Sequence, residues 1–380
     1  MGTREAIETM KMLCERSLEY GNDVCICFVD FENAFDRVNC VKMMKILKNI
    51  GVDWRDRRLI KTLYMNQEAV VKVNGDLSEP GEIGRGVRQG CLLSPLLFSL
   101  YVEMMMEEAM EESEEGVKVG GYLLRDVRFA DDQGMVANTE KGLQKIMYRL
   151  NDTAKAFDMK INVDKTKVMK VSRNGGEINI SIDGQKVEQV SKFKYLGAWI
   201  TEDGRSEVEI RTRIGMAKDA FNKRKELLTR GMSKEVKKKI VKTVIWSVAL
   251  YSAETWSLRK EDIRRIEALE MWIWRRMECI SWTEKITNEE VLRRVGEKRS
   301  MVETIVRRKK NWIGHIMRGD GLMKEVMEGK MEGKRGRGRK RIGMIDELMK
   351  NKQYGDLKRR AEDRQGWRVW LPGTCRVAEH

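Results

Sequence analysis

The sequence predicts an α+β protein with a sheet-forming first half and a helical second half. In residues 24–200, short apolar runs alternate with turn residues. The run from Val24 to Val29 has the continuous apolar character of a strand that is buried on both faces. From about residue 205 the apolar spacing becomes helical. Helices are expected at 205–230, 233–256, 260–279, 288–295 and 297–318. The 380 residues are enough for two or three packed units.

The composition indicates a basic globular protein whose first candidate partner is a polyanion. There are 74 Lys and Arg against 59 Asp and Glu, and the formal net charge is +15. The 7 cysteines include no Cys-x-x-Cys pair and only 2 histidines occur, which argues against a zinc site and suits a reducing compartment. Since no run resembles a membrane span or a signal peptide, an intracellular protein without a membrane partner is expected, in the nucleus or the cytoplasm.

Two acidic strand ends carry the predicted chemistry. Asp30 follows the first apolar run directly, and Asp131 and Asp132 lie between the strand-like runs 117–127 and 134–137, as at the tip of a hairpin. An isolated Asp-Asp pair is most simply a solvated turn. Three carboxylates from two neighbouring strands, however, are the hard oxygen ligands that two Mg²⁺ ions need. Because no Ser, Cys or His nucleophile set accompanies them, the sequence predicts metal-assisted phosphoryl transfer.

Five segments, in order, resemble the palm motifs of reverse transcriptases. They are FVDFENAFD (28–36), RQGCLLSP (88–95), FADD (129–132), KINVDKTK (160–167) and FKYLG (193–197). The segment WIGHIMR (312–318) and the basic run after it are similar to the C-terminal region of non-LTR (LINE-like, Jockey/RTE-type) retrotransposon polymerases. Each motif is weak alone, whereas the ordered set is specific.

The resemblance implies a right-hand polymerase fold, with an antiparallel palm sheet and helices, a helical thumb and a basic C-terminal extension. Residues 1–23 are expected to be a remnant of the fingers, and 24–200 the palm with finger insertions. Residues 201–318 would form the helical thumb and C-terminal helical region, and 319–380 a basic, glycine-rich flexible tail. Since 1–23 is too short for complete fingers or an upstream endonuclease, the chain is expected to be N-terminally truncated.

The resemblance also implies the metal ligands. Asp30 and Asp131 would hold two Mg²⁺ ions directly, with Mn²⁺ as an alternative. Asp132 would lie beside them, and the backbone carbonyl of Phe31 would be a further ligand.

The implied substrate contacts lie in the first, second and fourth motifs. Phe35 would act as a steric gate against a 2′-hydroxyl, or else belong to the core. Gln89 and Gly90 would lie against the incoming nucleotide and the template, because glycine permits close backbone approach. Arg88 would join them or be a surface cation. Lys165 is expected to be the general acid for the leaving pyrophosphate or a phosphate contact.

The implied nucleic-acid contacts lie further along the chain. Tyr195, Leu196 and Gly197 would form the primer grip. The basic run 324–341 favours a nucleic-acid clamp over a solvated linker, and it could also serve as a nuclear-localisation patch. His315 lacks Cys partners, so it is expected to pack or to contact RNA.

The leading functional prediction is a fragment of an RNA-directed DNA polymerase, a nucleotidyltransferase. Its partners would be an RNA template, a DNA primer or target, and deoxynucleoside triphosphates. The alternative is a catalytically impaired RNA- and DNA-binding remnant of such an element. A third class, a basic helical scaffold without a nucleic-acid role, predicts no salt-dependent RNA binding.

Overall fold

The structure, a computed structural model, divides into two compact units. The first unit comprises residues 1–6 and 21–193, and the second comprises residues 7–20 and 194–380. The residues that the structure describes are 2–65, 67–111, 113–335, 341–349 and 353–370. The division falls within the first helix and within the hairpin near residue 193, so it differs from the boundaries predicted at 23, 200 and 318.

The first unit combines a central sheet with helices. In chain order, its elements are α1 (Thr3–Tyr20, which crosses between the units), β1 (Val24–Val29), α2 (Cys40–Asn49), α3 (Trp54–Tyr64), β2 (Gln67–Ala69), β3 (Lys72–Val73), β4 (Asp76–Leu77), β5 (Gly81–Ile83), α4 (Ser94–Met110), β6 (Val117–Val119), β7 (Tyr122–Leu124), β8 (Asp126–Phe129), β9 (Asp132–Ala137), α5 (Glu140–Ala156), β10 (Lys167–Val171), β11 (Ser181–Ile182), β12 (Gln185–Lys186), β13 (Glu188–Gln189) and β14 (Lys192–Tyr195, at the boundary).

Strand β1 is the middle strand of a five-stranded sheet with the order β13-β10-β1-β9-β8. All six of its residues are buried, as its continuous apolar sequence predicts. It pairs antiparallel with β10 and with β9, and β8 and β9 form an antiparallel hairpin. Strand β13 adds a short parallel pairing to β10. The predicted α+β class is therefore confirmed.

Helices α4 and α5 share one core with one face of this sheet. Tyr101 of α4 and Ile146 of α5 are fully buried, and they belong to the same apolar cluster as Cys27 of β1 and Met135 of β9. Because side chains alternate between the two faces of a strand, the residues between these positions on β1 and β9 point to the opposite face. That second face carries the acidic residues at the strand ends.

The second unit is mainly helical. After β15 (Ala198–Thr201), its elements are α6 (Glu207–Asn222), α7 (Lys225–Thr229), α8 (Lys234–Ile240), α9 (Trp246–Ala249), α10 (Lys260–Met277), α11 (Asn288–Val295), α12 (Met301–Arg318), α13 (Leu322–Glu328), α14 (Asp346–Met349), α15 (Tyr354–Glu362) and α16 (Arg364–Val369). A π-helical turn, Val241–Ile245, joins α8 to α9. The helices predicted at 260–279 and 288–295 are confirmed, whereas those predicted at 205–230 and 233–256 are each interrupted.

The described residues near the end of the chain include buried apolar side chains. Met344, Leu357 and Trp367 are almost completely buried within the second unit. Arg335 forms an ion pair of 3.0 Å with Glu19 of the same unit. Apolar side chains among the charges are thus buried in these described parts, while the flexible tail expected for 319–380 stays a prediction. Residues 336–340 of the predicted clamp lie outside the described residues.

No helix in the described part of the chain is both long enough and apolar enough to cross a membrane.

Candidate active site

Asp30 and Asp132 lie opposite each other at the ends of adjacent strands. The antiparallel register of β1 and β9 pairs Val29 with Gln133. One position further along the same register, Asp30 faces Asp132, so both side chains project from the same face of the sheet. Asp131 lies in the two-residue turn between β8 and β9. The predicted hairpin with two carboxylates at its tip is therefore confirmed.

The surroundings of this cluster raise the pKa values of Asp30 and Asp132. Burial raises the pKa of Asp30, and the charge of Asp131 raises it further, while the Lys165 ammonium acts in the opposite direction. Burial also raises the pKa of Asp132, and the charges of Asp131 and Asp30 add to this increase. Like charges on opposed strand positions repel each other. A cation bound at this end of the sheet would relieve that repulsion.

The carbonyl of Phe31 lies beside this cluster in sequence and is not used by the local strand pairing. Phe31 forms an isolated antiparallel bridge with Ile161. The hydrogen bonds of the bridge come from the residues on either side, as when the Asn162 N–H donates to the Asp30 carbonyl at 2.8 Å. The Phe31 carbonyl is thus outside this ladder, which is consistent with its predicted role as a metal ligand.

The donor chemistry at these strand ends suits a divalent cation, but a complete ligand cluster is not preformed. Among the residues that the structure describes, no group of three or more His, Cys, Asp or Glu side chains is gathered so that it could hold a metal ion. The close convergence of three carboxylates that the sequence predicts is therefore not seen. Adjacent and mutually repelling carboxylate oxygens are nevertheless the hard ligands that Mg²⁺ prefers. Their role as metal ligands stays a prediction.

A turn formed by residues 162–166 holds the backbone of Asp30 on both sides. The hydroxyl of Thr166, a fully buried side chain, accepts the Asp30 N–H at 3.3 Å. Asn162 donates to the Asp30 carbonyl and also accepts the Lys165 N–H on its side-chain oxygen at 3.1 Å. The Lys165 ammonium lies 3.9 Å from the Asp30 carboxylate, with 69% of its side chain exposed. The sequence assigned no role to Thr166, although the motif places it next to Lys165.

For the primer-extension activity that the motif resemblance implies, we expect Thr166→Val to lower the rate by about tenfold, because the backbone of Asp30 would lose its hydroxyl partner without a change in side-chain shape. Thr166→Ser keeps the hydroxyl and is expected to retain most of the rate. The measurement is single-turnover extension by the two variants and the unchanged chain. Equal rates for the valine and serine variants would contradict a positioning role for this hydroxyl.

Arg88, Gln89 and Gly90 of the second motif precede α4 and are exposed, whereas Ser94 begins α4 and is buried. The Arg88 guanidinium donates to the side-chain oxygen of Gln67 at 2.9 Å, so it has a partner within its own unit. Gly90 has a φ of 89°, and a Cβ added there would meet nothing within 4 Å. Glycine is therefore required at this position by its backbone conformation. The predicted contacts of Gln89 and Gly90 with nucleotide and template are not tested by these observations.

Phe35 follows the end of β1 in the sequence and packs against another aromatic ring. Its ring stacks on Phe98 with centroids 4.4 Å apart and an interplanar angle of 14°. Its carbonyl accepts the Val87 N–H at 2.9 Å. Next to this bond, Gly86 has a φ of 98°, and a Cβ there would lie 3.0 Å from the Cα of Asp36. This backbone packing orients Phe35 and makes it part of the core edge, while its role as a steric gate stays a prediction.

The predicted primer grip belongs to the second unit. Tyr195 is almost completely buried, whereas Leu196 and Gly197 form the partly exposed turn of the hairpin between β14 and β15. The sequence did not identify the residues that hold this turn. His315 lies on the exposed side of α12, and Trp312 on its buried side.

The chain matches a known family over the region that carries all five motifs. The family described as "Reverse transcriptase (RNA-dependent DNA polymerase)" matches residues 4–200. This match includes every predicted catalytic and nucleotide-binding residue of the first unit.

Curated relatives are retrotransposon proteins. The chain is 24% identical over 276 residues to the "Retrovirus-related Pol polyprotein from type-2 retrotransposable element R2DM" of Drosophila melanogaster, covering 69% of this chain and 25% of that protein. It is 25% identical over 207 residues to the "RNA-directed DNA polymerase from mobile element jockey" of the same organism, covering 52% of this chain and 22% of that protein. The chain thus spans a quarter or less of the length of these two relatives.

Among solved structures, apo telomerase from Candida tropicalis is similar to this chain with a TM-score of 0.41 and 12% sequence identity. The likeness covers 87% of this chain and 56% of that one.

Proposed function

Because the chain belongs to the reverse transcriptase family, we propose that it is the RNA-directed DNA polymerase portion of a non-LTR retrotransposon protein. It would extend a DNA primer or nicked DNA target on an RNA template, using deoxynucleoside triphosphates. The observation that carries this proposal is the opposition of Asp30 and Asp132 at the end of the hairpin that carries Asp131.

In this proposal Asp30 and Asp131 would hold two Mg²⁺ ions, with Asp132 and the Phe31 carbonyl beside them, and Mn²⁺ as an alternative. Bound there, the ions supply the positive charge that stabilises the attacking and leaving oxygens of an in-line displacement. The chain itself contributes rigidity. The Asn162 N–H and the Thr166 hydroxyl hold the two backbone polar groups of Asp30, directly after β1.

The remaining residues of the first unit bind and orient the nucleotide. Lys165 has an exposed ammonium near Asp30, from which it would donate a proton to the leaving pyrophosphate or contact a phosphate. Phe35, supported by its stacked neighbour, would exclude a 2′-hydroxyl by volume. Gln89 and Gly90 would lie against the nucleotide and the template, with Arg88 next to them.

In the second unit, Tyr195, Leu196 and Gly197 would contact the primer. The basic run 324–341 would bind phosphates without sequence preference, so binding should weaken steeply with salt. Arg341 already donates to the Asp203 carbonyl at 2.5 Å, and Arg335 pairs with Glu19. Lys324 also pairs with Asp320 at 3.3 Å, so these three cations of the run already have partners in the structure.

The test is primer extension by the purified chain on an RNA template annealed to a DNA primer. We expect extension with Mg²⁺ and deoxynucleotides, and its loss on addition of a chelator. Salt-dependent RNA binding without extension in either Mg²⁺ or Mn²⁺ would favour the catalytically impaired remnant. Neither extension nor RNA binding would favour the scaffold.

A further inference from the structure

The turn between β14 and β15 has a backbone conformation that its sequence does not favour. Leu196 has a φ of 48° and Gly197 a φ of 80°, so both turn residues are left-handed. A two-residue hairpin of this kind is normally built from Asn-Gly or Asp-Gly. Glycine takes this conformation freely, whereas a leucine pays for it through a clash of its Cβ with the backbone.

Two other hairpins in the chain have the usual turn sequence, with Asn or Asp followed by Gly. The β3–β4 turn uses Asn74 and Gly75, with φ values of 54° and 103°. The β11–β12 turn uses Asp183 and Gly184, with φ values of 50° and 78°. The leucine at residue 196 therefore departs from the sequence of these two turns, as does Ala130, with a φ of 54°, in the β8–β9 turn of the candidate active site. Strain of this sort persists where the surroundings impose it, and it concentrates at ligand-binding sites.

One side chain from α6 and one from the turn after α9 hold the two carbonyls of the strained turn. The Tyr251 hydroxyl donates to the Leu196 carbonyl at 2.9 Å. The Arg213 guanidinium donates to the Gly197 carbonyl. It also lies over the Tyr251 ring, 4.4 Å from its centroid. The two side chains thus support each other while each holds one residue of the turn.

Glu209 completes this arrangement one helical turn before Arg213. One carboxylate oxygen pairs with the Arg213 guanidinium at 2.6 Å, and the other accepts the Trp199 N–H at 2.7 Å. The side chain of Glu209 is 1% exposed and that of Arg213 is 9% exposed. A buried ion pair is a poor source of net stability compared with apolar packing, so its value here lies in fixing one geometry.

We propose that Glu209, Arg213 and Tyr251 are positioning residues that present the Leu196–Gly197 turn to the sugar–phosphate backbone of the primer strand. Because the side chains occupy both carbonyls, the groups that the turn has left for a ligand are its N–H donors and the partly exposed leucine. The N–H groups of a two-residue loop lie outside the strand ladder, and N–H donors suit phosphate acceptors. This inference rests on the proposed polymerase function and adds the network that makes the primer contact.

The test separates primer binding from nucleotide binding. Tyr251→Phe removes one hydroxyl but keeps the ring under Arg213. We expect it to raise the KM for primer–template by about 3–10-fold, with the KM for deoxynucleotides within about twofold of the unchanged chain. Arg213→Lys keeps the charge but loses the planar guanidinium group. We expect it to raise the KM for primer–template more than Tyr251→Phe does.

A matched control lies on the same helix. Arg211 forms an ion pair with Glu207 at 2.7 Å, and 63% of its side chain is exposed. Arg211→Lys should leave both constants unchanged. A second check uses Leu196→Gly, which removes the backbone strain of the turn. In that background Tyr251→Phe should raise the KM for primer–template by less than it does in the unchanged chain.

The outcomes distinguish this inference from the proposed function. If the unchanged chain extends primers and Tyr251→Phe matches it in every constant, the network has no role in primer binding. A lower stability with unchanged primer–template KM would show a purely structural role and would also overturn the inference. If the unchanged chain extends nothing, the polymerase proposal fails, and fluorescence anisotropy with the same labelled duplex decides whether Tyr251→Phe weakens binding.

Discussion

Asp131→Asn is expected to lower the rate of primer extension at least about 10³-fold, because the loss of a ligand charge removes several kcal/mol of transition-state stabilisation. Asp131 is exposed in a hairpin turn, so the free energy of unfolding should change by no more than about 0.5 kcal/mol. Single-turnover extension and urea unfolding measure the two quantities. Asp131→Ala is expected to abolish extension altogether.

A comparable acidic residue in the same unit provides the control. Asp76 follows the two-residue turn of the β3–β4 hairpin and is exposed. Asp76→Asn removes the same charge from a hairpin that the proposed chemistry does not use, and extension should stay within about twofold of the unchanged rate. Undiminished extension by Asp131→Asn would refute the metal assignment.

Gly314→Ala is expected to destabilise the second unit by about 1–3 kcal/mol, because the new methyl group has no space. A Cβ at this position would lie 2.1 Å from the indole nitrogen of Trp367. That indole is buried and donates to the Lys310 carbonyl at 3.2 Å, so it cannot move away without losing a hydrogen bond. Urea unfolding of the full chain measures the effect.

The control is a glycine in a helix where space is available. A Cβ at Gly215 of α6 would meet nothing within 4 Å. Gly215→Ala should therefore stabilise the chain by about 0.5–1 kcal/mol, through helix propensity alone. In a Trp367→Ala background the cost of Gly314→Ala should disappear, since the clashing group is gone. A cost that persists there would mean that the indole does not account for the requirement for glycine.

The contact between Gly314 and Trp367 also explains part of the C-terminal motif. The sequence left His315 as a packing or RNA-contact residue and gave the glycine before it no role. In the structure the glycine admits the Trp367 indole, and Arg318 donates to the Ala361 carbonyl at 2.8 Å. At least part of this motif therefore joins α12 to α15 and α16.

Strand and hairpin predictions succeeded where local pattern and burial agree. The six apolar residues of β1 are all buried only if the strand is covered on both faces. The acidic turn after Phe129 follows from the strands on either side of it. The predicted helix at 233–256 was less accurate, because the spacing of its apolar residues continues through a π-helical turn at Val241–Ile245. Periodicity alone does not reveal such interruptions.

The residues that hold the functional positions were the least predictable. Glu209 and Arg213 have the i, i+4 spacing of a helical ion pair, but this spacing is common on exposed helix faces. Nothing in the sequence links Tyr251 to Leu196, which lies 55 positions earlier. Thr166 was visible in a motif, but its bond to the Asp30 backbone depends on how β10 pairs with β1.

By itself the sequence determined the α+β class, the family and the positions of the acidic strand ends, because apolar period and motif order are properties of the chain. Tertiary structure alone decided that Asp30 faces Asp132 and that a strained leucine turn is held by Arg213 and Tyr251. It also decided that apolar side chains within the described ranges 341–349 and 353–370 are buried. These outcomes depend on strand register and on contacts between residues far apart in the chain, and no local pattern encodes such contacts.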